Sequence, residues 1–491
     1  MKNAHHDQKS WAPAPDYRLN AAHAPALTPD PSREISGLRR QIANDDRLRD
    51  HGPGASVARG SQVRSKNIGY IAGVDHIRAF ASLLVVFHHS FWLIHRKHDP
   101  PGLTNEDWII TDNPVWSLAI ETHIVVTMFF VLSGFMFSLV GAGREIRYLP
   151  FMRNRALRVA PVYLAILFFG MAVFPERVTW AGFLASASIM GNSLAALNLW
   201  PVSTTFWTVA VEVQFYVVFP FLNTFLNREG ARPLLFLLAF AIALRLVGFL
   251  VGNSVRDMNY WHLPGRIDAF ILGMLLARVH LRTKIAARSP WLVVPGLVAL
   301  FGCTFALNRL GGWPVQTWWK ALWPAVEALA CTVFVFGYLS LARRMPRWIS
   351  RPLAYLGELS FSTYLCHFMV MQGLYDNGLL IDFHDRWGWS AYADAGVNTF
   401  FIVIPASLLL SFLAYNGIEA PFMRLRGVYV QRDRLARAAT TERGDSSDRD
   451  GSDDRDGSDD RDGSDDRDGS DDRDGSGSSA SCPPPNDEPS A

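Results

Sequence analysis

Ten apolar stretches dominate this chain and decide what it can become. They fall at residues 75–95, 115–140, 157–175, 205–226, 233–252, 265–281, 290–308, 321–342, 352–375 and 395–416. Each is close to the roughly 20 residues that a helix needs to cross a hydrocarbon core about 30 Å thick. Some are almost purely apolar, such as PLLFLLAFAIALRLVGFLVG and FFIVIPASLLLSFLAY, while others carry polar groups that a lipid-facing helix would not tolerate. The expected fold class is an all-α integral membrane protein, with these ten transmembrane helices around a polar cavity. Residues 180–200 are moderately apolar but rich in Gly, Asn and Ser, and read as a re-entrant or extramembrane helix.

The averages conceal this body. Over 491 residues the charged fraction is 19%, the net charge +2 and the mean hydropathy only +0.09. Residues 441–491 hold 18 Asp and Glu against 6 Arg, net −12, which leaves +14 on residues 1–440. Within that tail, residues 445–474 read DSSDRD followed by four copies of GSDDRD. Such a segment has too little apolar area to offset the entropy of ordering, so it is expected to be disordered. Residues 1–70 are polar and irregular, with no apolar run of signal-peptide length, and no cleaved secretory signal is expected. The expected organisation is a disordered cytoplasmic segment 1–70, a membrane domain 71–425 and a disordered cytoplasmic tail 426–491. Four cysteines (Cys303, Cys331, Cys366 and Cys482) form no CxxC pair, and neither a disulfide framework nor a zinc site is expected.

Short loops set the orientation of a membrane protein through their Lys and Arg content. The even-numbered loops carry fourteen Lys and Arg against seven in the odd-numbered ones, which places both termini in the cytoplasm.

Ionisable residues inside spans are costly and mark candidate sites. The first span, DHIRAFASLLVVFHHSFWLI, carries Arg78 and His89 on one helix face, about 16 Å apart along the axis. His88 points about 100° away from that face. A neutral imidazole in a low-dielectric cavity suits a general base, and an arginine at the cytoplasmic mouth suits a phosphate-bearing ligand. A histidine hydrogen-bonded to a neighbouring helix and an arginine snorkelling to the interface would also account for them. The fourth span carries Glu212 with Tyr216 one turn on, which could orient a histidine, bind an acceptor hydroxyl or join two helices. Arg155 and Arg158 share a face at the cytoplasmic boundary, as a phosphate clamp or a positive-inside anchor. Arg266 and Asp268 open the sixth span, where they could line the opposite mouth of a cavity. The ninth span, LGELSFSTYLCHF with His367, is too polar to face lipid. Ser133 and Gly134 in FFVLSGF fit close helix packing. There is no HExxH, GxSxG or Walker-type loop, and no metal is expected.

In this order the segments resemble acyltransferase family 3, membrane proteins that O-acylate sugars and related acceptors. The resemblance rests on RAFASLLVVFHH, FFVLSGF, FMRNRALRVAPVY, FWTVAVEVQFYVVFP, GRIDAFILGMLLA, LGELSFSTYLCHF and IEAPF, and spans about residues 71–425. Two positions differ from the family pattern: His76 stands where a Gly is frequent, and Thr127-Met128 where an acid precedes FF. The resemblance implies that His89 is the essential histidine, that Arg78 helps bind the acyl donor, that Arg155 and Arg158 form the basic motif, and that Glu212 is the fourth-span acid. Some members carry an extra hydrolase-like domain, so a second acyl-handling step here would need another protein.

The expectation is an inner-membrane O-acyltransferase that uses acyl-CoA, with acetyl-CoA the favoured donor. Catalytic work falls to His89 and Glu212, donor binding to Arg78, Arg155 and Arg158, and acceptor binding to Arg266, Asp268, Tyr216 and His367. The acceptor is expected to be carbohydrate: a cell-surface polysaccharide, a lipid-linked sugar or a glycosylated metabolite. Lipid, a partner acyl-handling protein or a second copy are the expected partners, and nucleic acid is not. A transporter or flippase using the same polar cavity is the alternative from another class, and a scaffold docking through its acidic tail is a third.

Overall fold

The computed structural model describes residue 67 and residues 69–98, 108–282 and 290–432. Most of the expected N-terminal segment and all of the acidic repeat lie outside these residues. Eight helices among the described residues are long and apolar enough to cross a membrane: Ala72–His98, Ile124–Gly141, Tyr148–Val173, Phe206–Arg228, Arg232–Leu250, Pro290–Arg309, Trp323–Ala342 and Ala391–Arg424.

The chain opens with helix α1 (Ala72–His95), then α2 (Pro114–Ile120) and α3 (Ile124–Gly141). The expected second span is therefore two helices. Asn113 caps α2 by accepting from the Val115 and Trp116 N–H groups, with Pro114 in the first turn. Glu121 then leaves helical geometry at φ −100°, ψ 30°, and the chain restarts at Ile124. Next come α4 (Tyr148–Val173), α5 (Trp180–Ala187), α6 (Phe206–Arg228) and α7 (Arg232–Leu250). Residues 180–200 form the short α5, capped by the Thr179 hydroxyl, and then turns. After α8 (Val255–Tyr260) run α9 (Leu263–Arg282), α10 (Val293–Arg309), α11 (Trp323–Ala342) and α12 (Arg347–Asp376). The last span is composite: α13 (Phe383–Trp387) leads to α14 (Ala391–Asn398), a π turn at Thr399–Val403, α15 (Ile404–Ala414), a second π turn at Tyr415–Glu419 and α16 (Ala420–Arg424).

Two expected spans, α9 and α12, are not among the eight, and their composition explains why. Helix α9 carries Arg266, Asp268, Arg278 and Arg282; α12 carries Glu358, Ser360, Ser362, Thr363 and His367. Nearly all these groups toward the helix middles are buried against other helices: α9 packs on α3, α7 and α11, and α12 on α1 and α15. The outer helices show the reverse pattern. On α7, Phe236, Phe240, Leu244 and Val247 are exposed at helical spacing, a face for lipid, while Arg245 on the other side is buried.

Helices α3 and α9 touch backbone to backbone. A Cβ on Gly134 would stand 2.2 Å from the Phe270 carbonyl oxygen, and one on Gly273 would stand 2.1 Å from that of Val131. Around this crossing Phe270 stacks on Phe215 and Phe130, at ring separations of 3.8 and 4.7 Å. Gly134→Val is therefore expected to cost about 1–3 kcal/mol or more through overpacking. Thermal unfolding of the detergent-purified variant checks this; an unchanged Tm would contradict the backbone contact.

Order continues past residue 425, where the membrane domain was expected to end. Strand β1 (Arg144–Ile146) pairs antiparallel with β2 (Val430–Arg432), in the register Arg144 to Arg432 and Ile146 to Val430. Buried Tyr429 packs edge-on against Phe151 of α4, and the Asn154 side chain donates to the Gly427 carbonyl at 2.6 Å.

Candidate active site

Two neighbouring cavities are formed by the described helices. The smaller, about 110 Å³, is lined by Arg78 of α1, Arg155 and Arg158 of α4, and Glu212 and Tyr216 of α6, with Ser133 and Tyr364. The structure thus brings together six of the residues singled out in the sequence, Ser133 among them. Arg78 pairs with Asp75 at 3.1 Å. Arg158 is held by buried Glu419, which also accepts from the Ser362 hydroxyl at 2.7 Å. Glu419 closes the second π turn and belongs to the IEAPF segment, which gives that segment a physical role. Arg155 is ringed by aromatic faces, those of Phe137 at 4.9 Å and Phe151 at 5.6 Å, and its buried Nε has no hydrogen-bond partner. Arg426, just beyond α16, belongs to the same positive cluster. Burial, with the neighbouring charges of Arg155 and Arg78, lowers its guanidinium to about 10. Four arginines in one place, with Arg155 lacking a carboxylate partner among the described residues, fit a polyanion such as a nucleotide diphosphate.

The larger cavity, about 570 Å³, is lined by His88, His89 and His123 together with a wall of Trp92, Trp108, Trp200, Trp207, Trp261 and Trp313. Val126 and Tyr364 line both cavities and so form the partition between them. His89 sits edge to face with His88, 4.7 Å between centroids, and stacks on His367 at 5.4 Å and 25°. His88, set about 100° from His89 by helix periodicity, also lines this cavity. Its Nδ1 hydrogen-bonds the Ala119 carbonyl at 2.8 Å, which would leave Nε2 as the basic nitrogen.

Five expected roles need correction. Tyr216, expected to bind the acceptor, lines the smaller cavity beside the arginines and is absent from the larger one. Glu212 does not reach His89; it lines the smaller cavity and accepts from the Ser133 hydroxyl at 2.9 Å. Ser133 therefore has a partner in the site, while its neighbour Gly134 serves packing. Asp268 is fully buried in an ion pair with Arg245 of α7 at 2.7 Å, and lines neither cavity. Arg266, 1% exposed, lies over the Tyr260 ring at 4.3 Å and donates to Thr127 Oγ1 at 3.1 Å. These two groups turn inward because a charge at membrane depth is tolerated where it meets a partner, not lipid. His367 is fully buried behind His89, its Nδ1 on the Tyr364 carbonyl at 2.7 Å, so it supports the histidine row and does not line the cavity.

A group that sequence reasoning passed over surrounds His123. Its Nε2 hydrogen-bonds Glu327 Oε1 of α11 at 2.9 Å, and its Nδ1 lies 3.6 Å from Glu121 Oε2. Glu327 Oε2 accepts from Thr127 at 3.1 Å and faces Arg266 at 3.8 Å. Thr127 stands where the family motif carries an acid, so Glu327 brings a carboxylate to that place from another helix. The signals were present: Glu327 is a lone acid within an apolar span, and Glu121-Thr122-His123 interrupts another. The second unusual position, His76, has a local explanation, since its Nε2 ties α1 to the Ser350 carbonyl of α12 at 2.9 Å. Outside both cavities, His98, His384 and Asp385 offer ligand atoms within 4.8 Å of one another, and His98 is already bonded to Asp394 at 3.0 Å.

Residues 71–416 match the profile of a family described as acyltransferase domain. The chain is 29% identical over 316 residues to the exopolysaccharide production protein ExoZ of Rhizobium meliloti, covering 61% of this chain and 89% of that one. It is 25% identical over 339 residues to the acyltransferase MdmB of Streptomyces mycarofaciens, covering 62% and 81%. It is 21% identical over 393 residues to the O-acetyltransferase OatA of Staphylococcus aureus, covering 72% of this chain and 57% of that one. No solved structure matches.

Proposed function

We propose that this chain, which belongs to acyltransferase family 3, moves an acyl group from acyl-CoA on the cytoplasmic side to a hydroxyl of a carbohydrate acceptor held in the larger cavity. It is a multi-pass membrane acyltransferase. The finer reading places it in the inner membrane with both termini in the cytoplasm, following the Lys and Arg bias of its loops. One observation carries the proposal: a basic compartment and a histidine-bearing aromatic compartment meet at a partition of two residues, Val126 and Tyr364.

The donor's phosphates suit Arg78, Arg155 and Arg158. A volume of about 110 Å³ is too small for the whole of coenzyme A, so the nucleotide stays at the mouth and only the thioester arm goes deeper. The larger cavity suits a sugar ring, whose apolar faces stack on indoles while its hydroxyls meet indole N–H and imidazole groups. His89 either receives the acyl group or takes the acceptor's proton. Acetyl is the favoured acyl group, and the relatives named for exopolysaccharide production and O-acetyl transfer support a saccharide acceptor.

Arg155 gives the cleanest test of donor binding because, unlike Arg158, it has no carboxylate partner among the described residues. Losing a charge-assisted phosphate contact costs about 1.5–3 kcal/mol, or roughly 10- to 100-fold in affinity. Arg155→Gln is expected to raise the KM for acetyl-CoA by that factor and leave kcat within about threefold, because the lost contact is equal in ground and transition states. An unchanged KM would contradict the assignment.

A further inference from the structure

We infer that His123 is a second catalytic histidine, the base that takes the acceptor hydroxyl's proton while His89 carries the acyl group. The inference rests on the proposed acyl transfer and deepens it.

His123 stands between two carboxylates. The side chain lies in the three-residue break between α2 and α3 and reaches the larger cavity. With Nε2–H donated to Glu327, Nδ1 carries the lone pair. That nitrogen faces Glu121 Oε2 at 3.6 Å, too far for a hydrogen bond, and this buried oxygen has no other partner. Glu121 is fixed from behind: its Oε1 accepts from Trp108 Nε1 at 2.5 Å and Asn308 Nδ2 at 3.0 Å. A neutral ring thus has one carboxylate bonded and a second waiting unbonded. Protonation at Nδ1 completes an imidazolium between two carboxylates, one of which, Glu327, also faces Arg266 at 3.8 Å. His89 has no such support among the described residues, where its ring packs on those of His88, His367 and Phe368. With no carboxylate to hold it, that ring is left for the covalent role.

The steps balance. A His89 nitrogen attacks the thioester carbon, the C–S bond breaks, and the thiolate leaves with the imidazole N–H proton as free thiol. The acceptor oxygen then attacks the acyl carbon, the C–N bond to His89 breaks, and the hydroxyl proton goes to His123. His123 returns that proton to the departing His89 nitrogen, which restores both neutral rings.

The test compares two acceptors in membrane vesicles supplied with [acetyl-14C]acetyl-CoA. One readout is alkali-labile label in the envelope polysaccharide fraction. The other is acetohydroxamate formed from added hydroxylamine, which attacks an acyl-imidazole without needing a base. His123→Gln retains an N–H for Glu327. It is expected to lower ester formation by about 10²–10⁴-fold, the usual worth of general-base catalysis, and to form acetohydroxamate at the wild-type rate. His89→Ala is expected to lose both. Hydroxamate formation also shows that the variant is folded. Wild-type ester formation by His123→Gln, or an equal loss of both products, would overturn the role of His123 while leaving the acyl-transfer reading in place. Wild-type vesicles that consume no acetyl-CoA would overturn that reading itself.

Discussion

Replacing His89 by alanine is expected to abolish acyl transfer while the protein still inserts and purifies as wild type. His89 lies in the wall of the larger cavity, which shares Val126 and Tyr364 with the compartment of the three arginines. If it served only as a base, its loss would cost about 10²–10⁴-fold. If the acyl group passes through its ring, no route remains and the loss is complete. The fold should survive, because no hydrogen bond to a neighbour holds this ring among the described residues; its contacts are ring packing against His88, His367 and Phe368. His88→Ala is not a neutral control, since His88 lines the same cavity and holds the Ala119 carbonyl. The measurement is labelled acetate in alkali-labile ester per mole of folded protein, with thermal unfolding run in parallel. A His89→Ala protein that keeps full activity would remove His89 from the mechanism.

The second large effect is on stability. Asp268→Ala leaves Arg245 buried at 1% exposure without its carboxylate, in a helix whose other face meets lipid. Breaking a buried pair by removing one partner costs about 3–5 kcal/mol, whereas exchanging both partners for apolar residues is often neutral. Asp268→Ala and Arg245→Met are each expected to lower the Tm sharply in detergent. The double variant Arg245→Met with Asp268→Leu should recover most of the loss, and the protein that remains folded should retain its specific activity. Unchanged stability in Asp268→Ala, or lost activity in a stable double variant, would return Asp268 to the acceptor-binding role that its sequence position invited.

The spans were legible because hydrophobic length is a one-dimensional property. All ten have helical counterparts, and the two that are too polar to qualify alone, α9 and α12, are those buried among the others. The arginine cluster was legible for a similar reason: Arg155 and Arg158 share a face of one helix, and Arg78 lies at the end of another. What escaped the sequence was pairing between distant helices. Asp268 looked free because Arg245 lay inside a run that otherwise read as lipid-facing, and only the packing of α7 on α9 brings them to 2.7 Å. Glu327 was hidden in the same way, since nothing in the sequence of α11 announces that His123 and Thr127 will meet it. The helical angle between His88 and His89 did not reveal that one cavity is wide enough to be lined by both.

The most direct test of the account is acetyl transfer by the purified protein alone. Wild-type protein in liposomes, given [acetyl-14C]acetyl-CoA and a soluble polysaccharide acceptor, should release free coenzyme A thiol and place the label in alkali-labile ester in equal amounts. Passage of the polysaccharide across the bilayer with the donor left intact would contradict the account and make the two cavities a transport path.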